Sequence, residues 1–184
     1  MKIEATAIPE VKPITSRKHG DARGFFSEVY KQADFEAAGL HYVFVQDNHS
    51  LSARVGTLRG LHFQTPPFAQ VKLVRVARGR IFGVVVDIRR SSPTFGAYVA
   101  VELSAENWRQ LLVPTGFAHG FVTLEPATEV LSKVTAAYSA AHDRGLAWND
   151  PALGLAWPLP PEGPLLSDKD RHWPRLADLA DAFP

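Results

Sequence analysis

Apolar runs and turn-forming breaks alternate along the second half of the chain. Val71–Ala77, Ile81–Ile88, Ala97–Leu103, Gln110–Val113, Gly120–Leu124 and Glu129–Tyr138 are rich in Val, Leu and Phe, and RGR, RRSSPTFG, VPTG and LEPATE break them. Many short strands at this spacing predict an all-β sandwich, barrel or jelly roll. Helical patterns are scarce: Lys31–Gly39 and Pro174–Phe183 are the two candidates, which makes the helices short and peripheral. Trp148–Pro164 is too proline-rich for a central strand and reads as an ordered loop. Side chains alternate along a strand, so Lys72 shares a face with Val74 and Val76. Val130, Ser132, Val134, Ala136 and Tyr138 likewise share one face of the last long strand. A lysine on an apolar barrel face either snorkels out at the strand end or meets an anion and does chemistry.

Composition narrows the class. A chain of 184 residues fits one domain, spanning 1–184, with enough apolar surface for its own core. It has no cysteine, which excludes disulfides, thiolate catalysis and cysteine zinc sites. The N-terminal MKIEATAIPEVKPI has no apolar h-region, and no stretch approaches the ~20 apolar residues of a membrane helix. We therefore expect a cytoplasmic protein with no membrane association. Twenty basic residues against nineteen acidic ones give a formal charge of +1, with no surplus of Lys and Arg to mark a nucleic-acid surface. A small anionic ligand needs only a few local cations and stays open.

Two histidines sit beside glycines: His62 in GTLRGLHFQ and His119 in VPTGFAHGF. The residue two after His62 is Gln64, and no Glu follows before Arg80, so the H-x-H pair with a following Glu that builds a barrel metal site is missing. Two histidines alone are too few for a closed first-row metal site. We expect no metal, which frees a histidine for acid–base work. Arg23, Gln46, Asp47, Asn48, Arg59 and Lys72 follow in order around predicted strands. Singly each reads as a solvated surface residue; as a set they are suited to line a diphosphate site, since arginine's planar fork matches phosphate oxygens. There is no P-loop or GxGxxG, so a nucleotide would be held by side chains on a sheet. Arg59 and His62, three apart, fall on opposite faces of a regular strand unless Gly60 permits a bulge.

The segments GDARGFFSEVY, FVQDNHS, LRGLHFQ, AQVKLVRVARG, VDIRRSSPTFG, VELSAENWRQLLVPTGFAHGF, WNDPALGLAWPL and PLLSDKD together resemble the dTDP-4-dehydrorhamnose 3,5-epimerase family. They occur in family order and cover nearly the whole chain. The resemblance implies a cupin-type jelly-roll homodimer, without metal or organic cofactor, acting on a dTDP-linked 4-keto-6-deoxyhexose in deoxysugar biosynthesis. By position it makes His62 the base, Asp170 its partner and Lys72 the group that stabilises the enolate oxygen. It places Arg23, Glu28, Gln46, Asp47, Asn48, Arg59, Lys72, His119, Asp143 and Lys169 on substrate, and Tyr138 against the thymine ring. The sequence departs from the pattern at one catalytic position: the family's acid tyrosine is replaced by Ser132, a weaker and shorter donor. Tyr138, six residues on and roughly 20 Å away along an unbroken strand, does not fill that gap. Three readings follow: an epimerase whose proton comes by a water relayed through Ser132, with one carbon inverted or both; a related isomerase of another nucleotide sugar; or a binding protein with impaired catalysis.

Overall fold

The computed structural model describes residues 1–180, 183 and 184. Two antiparallel sheets carry the molecule. The first has the order β1 (Lys2–Ile3), β2 (Lys12–Thr15), β10 (Arg109–Val113), β7 (Lys72–Arg78), β12 (Thr128–Val134), β5 (Gln46–Ser52). The second runs β13 (Asp143–Gly145), β6 (Leu58–Gln64), β11 (Phe117–Thr123), β8 (Arg80–Asp87), β9 (Tyr98–Ser104). From β5 to β12 the chain crosses repeatedly between them, so that β5, β12, β7 and β10 form one wall and β6, β11, β8 and β9 the other. That connectivity is a jelly roll. A small hairpin, β3 (His19–Asp21) and β4 (Gly24–Phe26), stands apart, and the one α-helix among the described residues, α1 (Gln32–Ala37), lies within the segment predicted for it.

Three apolar layers hold the sheets. Val74, Val76, Ile81, Val85, Val101, Leu111, Phe121 and Val130 are part of the layer between the walls. Leu61, Phe63, Val84, Val86, Ile88 and Leu146 pack on the outside of the second sheet beneath Trp157 and Leu179. Phe35 of α1 seals Ile14, Leu73 and Leu112 on the outside of the first. Because β8 feeds two of these layers it is covered on both faces, which is why Ile81–Ile88 reads as a nearly unbroken apolar run.

Two expected elements come out differently. The strand predicted for Glu129–Tyr138 ends at Val134, and Tyr138 leaves the sheet, so the distance along an unbroken strand does not apply. The helix predicted over Pro174–Phe183 is a single 3-10 turn, Leu176–Asp178, on its described residues; positions 181 and 182 lie outside them. Leu176 and Leu179 are drawn onto the core beside Ile88 and Leu153, and the buried Asp150 carboxylate accepts the Leu176 N–H at 2.7 Å, which outweighs the alanine-rich propensity of the segment. The proline-rich Trp148–Pro164 forms no strand, as expected.

Asp87, 0 % exposed at the end of β8, organises the following loop. Its carboxylate accepts hydrogen bonds from the Arg89 backbone and guanidinium and from the Ser92 and Thr94 hydroxyls at 2.6–3.0 Å. Burial alone would raise its pKa, but the donors from Arg89, Ser92 and Thr94 outweigh it and hold the group at about 2. A folded-state pKa below the ordinary ~3.9 means the stabilisation is fully present above about pH 4 and is lost as pH falls through 2. Asp87→Ala is therefore expected to cost about 3 kcal/mol at pH 7, because it removes the one acceptor shared by the Arg89 N–H, the Arg89 guanidinium and the Ser92 and Thr94 hydroxyls. In urea titrations the deficit should shrink toward pH 2; an equal deficit at both pH values would contradict this account.

Candidate active site

The cavity opens between the two walls, near β5, β6 and β12. Gly60 decides what enters it. On β11 His119 faces His62 of β6, and Phe121 faces Arg59, so three steps along β6 answer two along β11: a bulge. Gly60 adopts φ 124°, and a Cβ there would stand 2.5 Å from the Gly120 Cα and 2.8 Å from the His119 carbonyl. Only glycine on both strands permits this approach. The bulge turns Arg59 and His62 to the same side, where both line a cavity of about 450 Å³.

His62 Nε2 lies 2.5 Å from Asp170 Oδ1. Asp170, 3 % exposed, sits on the 3-10 turn Lys169–Arg171. Its carboxylate also accepts the Ser167 hydroxyl at 2.7 Å and the Trp173 indole N–H at 3.2 Å. Burial pushes Asp170 upward, but the His62 hydrogen bond and charge, with Ser167 and Trp173, hold it below the usual carboxylate range. An ionised carboxylate only accepts, so His62 Nε2 is the donor and Nδ1 is the ring nitrogen with an available lone pair. Asp170 thus fixes the tautomer and compensates the charge that the ring acquires when it takes a proton. The Trp173 indole occupies the space where a Cβ on Gly145 would be, and Gly145 pairs directly with His62. The sequence reading passed over Trp173, Ser167 and Gly145; the only local sign of them is the serine three residues before Asp170.

The opposite wall contributes Lys72, Asn48 and Ser132. Lys72 stands where alternation put it, beside Val74, and its ammonium donates to the His62 carbonyl at 3.2 Å. Burial pushes its pKa down, Asp143 pulls it up and Lys169 pushes it down again, leaving it at about 8. Lys72 is therefore a cation at neutral pH, poised near its titration. Asn48 Nδ2 lies 3.5 Å from the Ser132 hydroxyl. His119, 7 % exposed beside His62, has its pKa pushed down to about 3 by burial and by the charges of Lys72 and His62, so it stays neutral. Its Nε2 is buried and has no hydrogen-bond partner among the described residues. A buried polar atom left open in a cavity is suited to a ligand's polar group.

At the rim, the Lys169 ammonium pairs with Asp143 at 2.5 Å, and the Tyr138 hydroxyl lies 3.5 Å from the same carboxylate. Gln46 accepts the Tyr138 N–H at 3.0 Å and donates to Asn48 at 2.7 Å. Tyr138 is 58 % exposed, and its hydroxyl reaches the cavity lining through Asp143, which pairs with Lys169. Three expected residues lie elsewhere. Asp47 alternates to the outer face of β5 and pairs with Lys133 at 2.9 Å. Arg23, on the exposed turn of the β3–β4 hairpin, pairs with Asp21 at 2.5 Å, and Glu28 lies 3.8 Å from Lys31. The chain by itself does not bring Arg23 and Glu28 to the cavity.

Among the described residues no group of three or more His, Cys, Asp or Glu side chains is placed to hold a metal ion. A jelly roll enclosing a histidine–carboxylate pair together with a buried lysine is an arrangement suited to proton transfer beside a carbonyl, the chemistry of an isomerase. The chain belongs to the dTDP-4-dehydrorhamnose 3,5-epimerase family, whose model matches residues 5–178. It is 54 % identical over 185 residues to the dTDP-4-dehydrorhamnose 3,5-epimerase of Pseudomonas aeruginosa, covering 100 % of both chains. The crystal structure of the Bacillus anthracis dTDP-4-dehydrorhamnose 3,5-epimerase, with TDP and PPi bound, superposes with a TM-score of 0.91 at 51 % identity, covering 95 % of this chain and 98 % of that one. The Legionella pneumophila dTDP-6-deoxy-D-glucose-3,5-epimerase, in complex with dTDP-4-keto-L-rhamnose, gives 0.93 at 43 % identity, covering 97 % and 94 %.

Proposed function

We propose that this protein epimerises a dTDP-linked 4-keto-6-deoxyhexose at C3, C5 or both, without metal or organic cofactor, as a cytoplasmic step of dTDP-rhamnose-type biosynthesis. The observation that carries this reading is the 2.5 Å His62–Asp170 pair facing Lys72 across the cavity. His62 removes the proton α to the ketone. The electron pair of the C–H bond moves into a C=C bond as the carbonyl pair moves onto oxygen, and Lys72 meets the resulting enolate charge. Preorganised charge of this kind is often the largest catalytic contribution. His119, with its open nitrogen, and Arg59, held by Ser52 at 3.1 Å, bind the substrate with Gln46, Asn48, Asp143 and Lys169. Tyr138 at the rim stacks on the thymine.

Arg23 and Glu28 enter the same reading through a second copy. They flank Phe25 and Phe26, which are 54 % and 69 % exposed, on a hairpin outside either wall. A homodimer that covers these two rings would carry the hairpin's charges toward the partner's cavity. The 1–184 chain acts as one catalytic domain in this assembly, and no nucleic acid or membrane takes part.

A second reading has an observation of its own. Ser132 offers no acid strong enough to protonate carbon, which favours a sugar-nucleotide binding protein with little turnover. Proton NMR in D₂O with dTDP-4-keto-6-deoxyglucose separates the two, since it reports exchange at each carbon. Deuterium incorporation with inversion is the expected result. Calorimetric binding without exchange would establish the second reading instead.

A further inference from the structure

The loop that follows β12 reads Thr135-Ala136-Ala137-Tyr138-Ser139. Its two alanine methyls offer little to bury, and the Tyr138 ring is mostly exposed. Packing therefore does little to fix this ring, which takes its place from the loop backbone. Side-chain amides from distant segments hold that backbone. Gln46 of β5 accepts the Tyr138 N–H at 3.0 Å, and Gln70 donates to the Ala136 carbonyl at 2.8 Å. Gln64 of β6 makes two more contacts. Its Nε2 donates to the Ala137 carbonyl at 3.1 Å, and its Oε1 accepts the Ser139 N–H at 2.7 Å. The same Nε2 also donates to the Phe68 carbonyl at 2.7 Å. Gln64 thus grips the loop on both sides of Tyr138 and ties it to the turn after its own strand.

We infer that Gln64, assisted by Gln70, is a positioning residue for nucleotide recognition, fixing the backbone that presents the Tyr138 ring to the base. The inference rests on the proposed assignment of Tyr138 to the thymine. Gln64 is 3 % exposed, with both amide hydrogens and its oxygen engaged. The reverse orientation of the amide would set its oxygen against two carbonyls, so the side chain has one arrangement. Asp143 pairs with Gln64 in the β13–β6 register and lies 3.5 Å from the Tyr138 hydroxyl, so the ring is approached from both ends by one place in the sheet. His62 stands two residues back on the same face of β6. A strand holds geometry more precisely than a loop, and Gln64 passes that precision from the strand carrying the base catalyst to the loop carrying the aromatic ring.

Gln64→Ala removes three hydrogen bonds and leaves the Tyr138 ring, His62 and Asp170 chemically intact. In calorimetry its affinity for dTDP should fall by about tenfold, the scale of one base–aromatic stack, while its affinity for inorganic pyrophosphate, which has no base, should stay within about twofold. With dTDP-4-keto-6-deoxyglucose KM should rise and kcat should stay within about twofold, as when binding common to ground and transition states is lost. A double-mutant cycle with Tyr138→Ala separates positioning from a general loss of stability. Once the ring is gone, Gln64→Ala should cost no further dTDP affinity. Losses that multiply, an equal loss of pyrophosphate affinity, or wild-type dTDP affinity in Gln64→Ala would each overturn the assignment. Should Gln64→Ala fail to fold, Gln70→Ala deletes one bond to the same loop and carries the same cycle, with the same outcomes against it. If Tyr138→Ala itself leaves dTDP affinity unchanged, the thymine assignment falls and this inference with it, while exchange in D₂O still decides the epimerase reading.

Discussion

His62→Ala is expected to eliminate solvent deuterium incorporation into a dTDP-4-keto sugar, with the rate falling by about 10³-fold or more. The size follows from the site. Among the described residues that line the cavity, His62 alone combines an available ring nitrogen with a buried carboxylate behind it. His119 cannot substitute, because burial and then the neighbouring Lys72 charge hold it at about 3, far too weak a base at neutral pH. Binding should survive, since on the proposed reading Arg59, Lys169 and Tyr138 hold the substrate without His62, so calorimetry with dTDP should change little. Exchange within about tenfold of wild type would show that another group removes the proton.

Asp170→Asn should lower kcat by about 10²-fold, with a small change in KM. An amide nearly matches the carboxylate in shape, but it carries no charge to balance the imidazolium, and with one acceptor oxygen in place of two it can turn its NH₂ toward the ring and the Trp173 N–H, where the carboxylate offered an acceptor. The first defect raises the barrier to proton removal; the second allows the tautomer with the proton on the wrong nitrogen. Because Asp170 is held below the usual carboxylate range, the wild type keeps the anion through the whole neutral region and well into mild acid. The gap between wild type and variant should therefore stay constant across neutral pH. A variant with wild-type kcat and a raised KM would instead make Asp170 a binding residue.

Much of the architecture was legible in the chain because it follows from local rules. Apolar runs between turn signals placed β7 to β12 within a few residues, and period-two alternation put Lys72 with Val74 and Ser132 with Val130, on faces that line the cavity. The strands of the cavity's own edge were harder. β5, QDNHSLS, is polar because one of its faces lines the cavity and the other meets solvent, so it lacks the apolar half on which the pattern depends. The end of β12 and the collapse of the C-terminal helix to one turn depended on partners distant in sequence, Gln46 for Tyr138 and Asp150 for Leu176.

The amino-acid sequence determined the class of barrel, the absence of cysteine chemistry and the identity of the titratable groups. Tertiary structure alone decided their relations. The 108-residue separation of His62 and Asp170 closes to 2.5 Å only when the final turn folds back under Trp173. Gly60 and Gly120 must meet back to back before Arg59 and His62 can share a cavity. Burial among opposed walls, which no linear pattern encodes, is what lowers Lys72 to about 8 and keeps His119 neutral. The reason is general: side-chain identity fixes which proton can move, whereas desolvation and the nearest charges fix when it does.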